Sequence, residues 1–285
     1  MPYRRYSCER SSSIHRNDSA STFAEVDEPE LAGDQVLVSV EHVALNRGDL
    51  NDARSGRLSE GAVLGSDMAG MVLRGALDGS GPPLGSRVVA LTAGAFAERC
   101  AMDMEALASV PAGVGLAEAA ALPVAGLAAL QALRAAGLRS GKRVLVTGAS
   151  GGVGRFAVQL AADAGAHVVA AVGSTSKREG LRVLGAAEVI VSLDDIAEPV
   201  DIVLDNVGGA TLVAAWDLLG QPQTAVTTTS EPAPQVPVPG TNATRDTPPA
   251  TSGIRQSHVG GPRAQPMSGA RGHQPSLEGA RRPDA

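Results

Sequence analysis

Apolar and polar positions follow two different rhythms along this chain. In the first half, Val36, Val38, Val40 and Val43 mark a strand, and residues 86–91 mark another through Val88, Val89 and Leu91. Glycine-rich turn signals at Gly61, Gly65, Gly70, Gly75, Gly79, Gly81, Gly85 and Gly94 separate such segments. Short strands with frequent turns predict a small β-barrel-like domain over residues 22–124. Residues 118–136, rich in Ala and Leu, predict a helix. From Gly141 the rhythm becomes β-α-β. Strands are predicted at 143–147, 167–172, 188–192 and 201–205, and helices at 152–164, 176–184 and 210–219. That alternation predicts a parallel sheet with helices on both faces over residues 125–220.

The two ends break the rhythm. Residues 1–21 carry Arg4, Arg5, Arg10 and Arg16, the run Ser11-Ser12-Ser13, and almost no aliphatic residue. Residues 221–285 hold 11 of the 18 prolines and six arginines, with no lysine and no aromatic. Their apolar groups are too sparse to offset the entropy of ordering, so both ends are expected to be disordered.

Composition narrows the class. With 44% hydrophobic but only 2% aromatic residues, the core of this 285-residue chain must be built from Val, Leu and Ala. A net charge of −6 and a pI near 5.4 argue against a nucleic-acid surface. Two cysteines, Cys8 and Cys100, provide neither a disulfide framework nor a zinc cluster. No run of 18 apolar residues exists, and no apolar segment follows the N-terminal arginines, so no membrane span or secretory signal is expected and the default location is cytoplasmic.

The candidate chemistry centres on Val144-Leu145-Val146-Thr147-Gly148-Ala149-Ser150-Gly151-Gly152-Val153-Gly154. Here a strand feeds a glycine-rich turn that opens a helix. Glycines let a pyrophosphate approach the backbone, and the helix N-terminus offers free N–H groups and a partial positive charge. Two registers are possible. In G-x-G-x-x-G, Ala149, Gly151 and Gly154 fall in place. In T-G-x-x-x-G-x-G, Thr147, Gly148, Gly152 and Gly154 do, as in short-chain dehydrogenases. Those enzymes need a catalytic Tyr and a Lys four residues later, but the only tyrosines are Tyr3 and Tyr6. The first register is therefore adopted.

After the second strand of this half stand Val172-Gly173-Ser174-Thr175-Ser176-Lys177-Arg178. No carboxylate is present to grip a ribose 2′-OH, as an NAD site requires. Ser174, Lys177 and Arg178 instead suit a 2′-phosphate, which points to NADPH. A solvated helix N-terminus is the bland alternative.

The chain resembles the zinc-free branch of the medium-chain dehydrogenase/reductases, the quinone oxidoreductase type. The matching segments are Ala44-Leu45-Asn46-Arg47-Gly48-Asp49, Leu64-Gly65-Ser66-Asp67-Met68-Ala69-Gly70, Gly94-Ala95-Phe96-Ala97-Glu98, the run from Glu118 to Leu127, and Asp205-Asn206-Val207-Gly208-Gly209. Together they cover about residues 22–220. The resemblance implies an α/β chain, with a GroES-like β-barrel domain followed by a doubly wound Rossmann sheet and a site in the cleft between them.

Zinc-bearing relatives supply a catalytic Cys in the first of these segments and a His-Glu pair after the Gly of the second. Asn46 and Ser66-Asp67 stand in this chain, and the five histidines are scattered, so no metal is expected. Asn46 matches the family position beside the nicotinamide. The Tyr that several relatives carry shortly afterwards is absent, which leaves Asp49 as the nearest ionisable candidate, although a backbone-capping turn residue is the competing reading. Asn206 matches a position near the nicotinamide and ribose, against an Asx-type turn.

A family member would continue past Leu219 with two further strands and its usual dimer contact. The sequence from Gln221 suggests instead that the sheet stops at residues 201–205, that this contact region is replaced, and that both ends are read in a shifted frame from a high-GC gene. The implied activity is NADPH-dependent hydride transfer to a quinone or another α,β-unsaturated carbonyl. An enoyl reductase and a cofactor-binding pseudoenzyme are the rivals.

Overall fold

The computed structural model describes residues 28–54, 59, 62–220 and 224–229 in full, and the backbone alone of 3–8, 21–26, 55, 221–223 and 255–258. The first half is organised around the long strand β3 (Gln35–Ala44), flanked by β4 (Asp67–Arg74) and β6 (Arg99–Asp103). With β5 (Arg87–Leu91) and β7 (Leu107–Ser109) these form a five-stranded antiparallel sheet in the order β6-β3-β4-β5-β7. Burial alternates along β5 and β6, so Val88, Ala90, Cys100 and Met102 point inward onto Val36, Val38, Met68 and Val72. Burial pushes the Cys100 thiol up to about 11, so it packs there as a small neutral side chain.

The second half is a six-stranded sheet ordered β10-β9-β8-β11-β12-β13. The strands are β8 (Arg143–Val146), β9 (His167–Ala171), β10 (Glu188–Ile190), β11 (Val200–Asp205), β12 (Leu219–Thr227) and β13 (Arg255–His258). The first four have the 3-2-1-4 order expected of a Rossmann half, all parallel. Successive residues point to opposite faces, and both faces are covered. Val144, Val146, Val168, Ala170, Ile202 and Leu204 pack against helices α3 (Pro123–Ala135) and α4 (Gly152–Asp163). Leu145, Val169, Ala171 and Val203 pack on the other face with Trp216 of α5 (Gly209–Trp216) and with Leu219.

Four expectations are corrected. The helix expected over 118–136 is two helices, α2 (Leu116–Ala120) and α3. Pro123 has no N–H and its ring clashes with the preceding turn, so it ends the first helix and starts the second. The helix expected over 176–184 is a single 3-10 turn, Thr175–Lys177, because Gly180 sits in the left-handed region at φ 78°.

The sheet does not stop at β11. β12 pairs with it in parallel, and β13 pairs with β12 antiparallel. The expected disorder from residue 221 therefore fails for Gln221–Thr227 and Arg255–His258. The β-branched run around Ala225 and Val226 favours a strand, and both residues are buried. The register shifts where β12 contains Pro222, which cannot donate to the ladder.

Order was likewise not expected before residue 22, yet β1 (Tyr3–Cys8) and β2 (Ser21–Val26) pair antiparallel. The rest of the disorder expected at the ends falls on residues 1–2, 9–20, 230–254 and 259–285, outside the described residues. Among the described residues, no helix is long and apolar enough to cross a membrane.

Candidate functional site

Two constellations meet where the halves join. The first begins at Asn46, which precedes α1 (Arg47–Ser55). The Asp49 carboxylate reaches back and accepts the Asn46 backbone N–H at 2.7 Å, while its other oxygen accepts the Ser66 hydroxyl at 2.7 Å. An acidic residue at the third helical position closing onto the N-cap amide is a capping arrangement. Asp49 is thus buried with both oxygens engaged.

The Asn46 side-chain amide donates to Asp67 Oδ2 at 2.9 Å, and the backbone N–H of Val124 donates to Asp67 Oδ1 at 2.9 Å. Asp67 is 0% exposed. Burial pushes its carboxyl above the usual carboxylate range, while the Asn46 and Val124 donors pull it back down. Around this polar knot, Leu45, Leu91 and Leu122 stay exposed, at 78%, 45% and 46%. Leu45 adjoins Asn46, Leu91 lies across from Asp67 in the β4–β5 register, and Leu122 precedes the Pro123-Val124 pair.

The second constellation is the glycine turn after β8. Gly148 has φ 59°, and a Cβ at residue 154 would stand 2.4 Å from the Gly148 carbonyl oxygen and 2.7 Å from the Ala149 Cα. Gly154 therefore lets α4 start directly against the turn. The α4 N-cap is Gly151, with no side-chain cap, so the first-turn amides of Gly152, Val153 and Gly154 have no intrahelical acceptor. The Ala149 N–H bonds the Ala171 carbonyl at 3.1 Å and ties the turn to the end of β9. A backbone this close, crowned by free amides at the positive end of a helix, fits a pyrophosphate.

At the end of β9, Ser174 and Ser176 share a hydrogen bond at 3.0 Å, and Lys177 and Arg178 are exposed beside them. Arg155 of α4 spans the two parts of this constellation, donating to the Ser150 carbonyl at 3.3 Å and to the Glu179 carbonyl at 3.3 Å.

Asn206 lies over the same turn. Its amide donates to the Thr147 carbonyl at 2.8 Å, and its Oδ1 accepts the Thr228 hydroxyl at 2.6 Å. Beneath it, buried Asp205 accepts from the Thr147 hydroxyl at 2.6 Å, the Gly208 N–H at 2.9 Å and the Thr227 hydroxyl at 3.2 Å. The ends of β8, β11 and β12 are thereby laced together at the point where the strand order reverses, which is where open α/β sheets place their ligands.

The sequence of this two-part chain matches two family models in tandem. An alcohol dehydrogenase GroES-like domain covers residues 32–132, and a zinc-binding dehydrogenase model covers residues 152–244. The chain belongs to the medium-chain dehydrogenase/reductase family. Within that family it is quinone-oxidoreductase-like. It is 36% identical over 200 residues to a 2-methylene-furan-3-one reductase from Solanum lycopersicum, covering 63% of this chain and 51% of that protein. It is 34% identical over 200 residues to a chloroplastic NADPH-dependent alkenal/one oxidoreductase from Arabidopsis thaliana, covering 63% of this chain and 52% of that one. The quinone oxidoreductase structure from Coxiella burnetii superposes with a TM-score of 0.69 at 26% identity, covering 77% of this chain and 73% of that chain. The chain spans about half the length of these curated relatives.

Of the residues singled out from sequence, Asn46 and Asp49 are brought together, as are Gly148–Gly154 and Asn206. Ser174, Lys177 and Arg178 follow the strand to which the turn is tied. Sequence reasoning missed Arg155 and the Thr227–Thr228 pair, and it named Asp67 and Thr147 without giving either a part in the site. Asp67 was noted only as part of a matching segment and as standing where zinc-bearing relatives carry a His-Glu pair, and Thr227 and Thr228 lay beyond the last strand the pattern revealed.

Proposed function

We propose that the chain is an NADPH-dependent oxidoreductase that delivers hydride, without zinc, to a quinone or another α,β-unsaturated carbonyl. The observation that carries this reading is the glycine turn with Gly154 pressed against Gly148 and Ala149, followed after β9 by Ser174, Lys177 and Arg178 with no carboxylate. The amides of Gly152, Val153 and Gly154 would hold the pyrophosphate, and Gly148, Ala149, Ser150 and Gly151 would shape the turn beneath it. Ser174, Lys177 and Arg178 would bind the 2′-phosphate. Bound there, NADPH supplies the hydride.

In this reading Asn46 shapes the acceptor site beside the nicotinamide, with Leu45, Leu91 and Leu122 as an apolar rim that suits a quinone or enone and helps exclude water. Asn206 orders the floor of the cofactor site through Thr147 and Thr228. Asp49 serves as the capping residue of the acceptor segment, because both of its oxygens are already occupied, and solvent supplies the proton. The donor set argues against zinc. The oxygens of Asp49 and Asp67 face N–H and O–H groups, and Asn46 stands where zinc-bearing relatives carry a cysteine thiolate. The cytoplasm remains the proposed location.

The test is oxidation of NADPH and of NADH by the purified chain with a quinone and with an enone, in the presence of a chelator. Faster NADPH oxidation that survives the chelator is expected. NADPH binding without oxidation would convert the reading into that of a non-catalytic binding protein. Absence of both would overturn the cofactor assignment.

A further inference from the structure

Helix α3 begins without a cap of its own. Its N-cap residue is Leu122, which makes no side-chain capping bond, and Pro123 contributes no N–H. The next amide, Val124, is bonded by a carboxylate from the other half of the protein, Asp67 Oδ1, at 2.9 Å. A carboxylate at a helix N-terminus both satisfies an orphan amide and offsets the positive end of the dipole. The remaining oxygen of that carboxylate holds the Asn46 side-chain amide at 2.9 Å. One fully buried group therefore touches the acceptor segment on one side and α3 on the other.

The start of α3 also leads to the cofactor half. Its Ala125 would lie 3.5 Å from a Cβ placed on Gly152, the first residue of α4, and a Cβ placed on Gly126 would stand 3.8 Å from Phe156 of α4. The chain of contacts runs from Asn46 through Asp67 and the α3 N-terminus to the α4 N-terminus.

We infer that Asp67 is a positioning residue. By capping α3 from the first domain while orienting the Asn46 amide, it sets the acceptor site against the pyrophosphate site. The inference rests on the proposed hydride-transfer function for its catalytic consequence and on geometry alone for the cap. With one amide proton spent on Asp67, Asn46 keeps its Oδ1 and its second N–H for the cleft, in an orientation that a free side chain would not hold.

The test compares wild type, Asn46→Ala, Asp67→Asn and the double variant. In kinetics with NADPH and a quinone, Asp67→Asn should lower kcat by about tenfold with little change in the Kd for NADPH, because an amide places a second donor against Asn46 or Val124. In the Asn46→Ala background the same change should cost less than about twofold. An equal loss in both backgrounds would mean a purely structural role and would overturn the inference.

An activity-independent readout accompanies it. In wild type the Val124 amide should be protected from hydrogen exchange although it lies in a first helical turn, and the protection should fall in Asp67→Asn but persist in Asn46→Ala. Rapid exchange at Val124 in wild type overturns the cap even if Asp67→Asn fails to fold. If wild type does not oxidise NADPH with any acceptor, the hydride-transfer reading fails while the exchange data still decide the cap.

Discussion

The Thr147 hydroxyl donates to the buried Asp205 carboxylate at 2.6 Å, and the same hydroxyl oxygen accepts the Asn206 backbone N–H at 3.1 Å. Thr147 follows β8 and Asp205 ends β11, so one side chain fastens two neighbouring strands where the cofactor is proposed to sit.

Thr147→Val keeps the shape of the side chain and removes this donor and acceptor. A hydrogen bond to a charged group is worth about 1.5–3 kcal/mol, and the carboxylate would stay buried with one partner fewer. The expected outcome is a loss of about 2 kcal/mol in denaturant unfolding with an unchanged m-value. A loss within about 0.5 kcal/mol would show that the Val207, Gly208 and Thr227 donors alone satisfy Asp205.

Gly154→Ala drives a Cβ into backbone rather than into a flexible side chain. The turn and the α4 N-terminus must move apart, at a cost of about 1–3 kcal/mol. NADPH affinity should fall by more than about tenfold, since the amides lose their common aim. Titration by nicotinamide fluorescence, alongside a thermal melt, separates loss of the site from loss of the fold. Unchanged affinity in a stable variant would place the pyrophosphate elsewhere.

Lys177→Ala removes an exposed cation from the end of the 3-10 turn after β9. If that cation pairs with a 2′-phosphate, NADPH binding should weaken about tenfold or more while NADH binding stays within about twofold. Equal effects on the two nucleotides would refute the NADPH preference.

Glu188 is held below the usual carboxylate range first by the His167 hydrogen bond at 2.7 Å and then by Arg143. A carboxylate with a depressed native pKa binds fewer protons folded than unfolded. Its stabilisation is present above the unfolded pKa and is lost as pH falls through the native one. Glu188→Gln should therefore lower the Tm slightly near about pH 7, and the difference should fade as the pH falls through the lowered native pKa; the effect is small because the pair is partly exposed. A Tm difference that persists at the acid end would point to lost packing instead.

The parts of the fold that could be read from sequence are those where one local rule acts alone. The β8–α4 unit is legible because Val144, Leu145 and Val146 run into glycines that have no other use. The parallel run of the next three strands follows from β-α-β alternation, and their order from the Rossmann resemblance. The boundary at Pro123 was hidden because Ala and Leu on both sides look helical, and only the proline's missing N–H decides. β12 was hidden because Gln221-Pro222-Gln223 looks like the start of a tail. Its place is fixed by backbone pairing with β11 and by two buried residues, Ala225 and Val226.

The candidate site divides in the same way. Glycines and cations are visible one at a time, whereas Asp67 matters through partners 21 and 57 residues away. No local pattern can announce such a residue.

Trp216, the single tryptophan of the chain, lies in the layer that joins β11 to β12 and is 7% exposed. It belongs to the same buried apolar cluster as Val203, Ala215, Leu219 and Ala225, contributed by β11, α5 and β12. The tryptophan emission of the protein, excited apart from Tyr3 and Tyr6, is therefore a local signal. It will report when the last parallel strand docks or peels away, and it lies in a different apolar cluster from the antiparallel sheet of the first half.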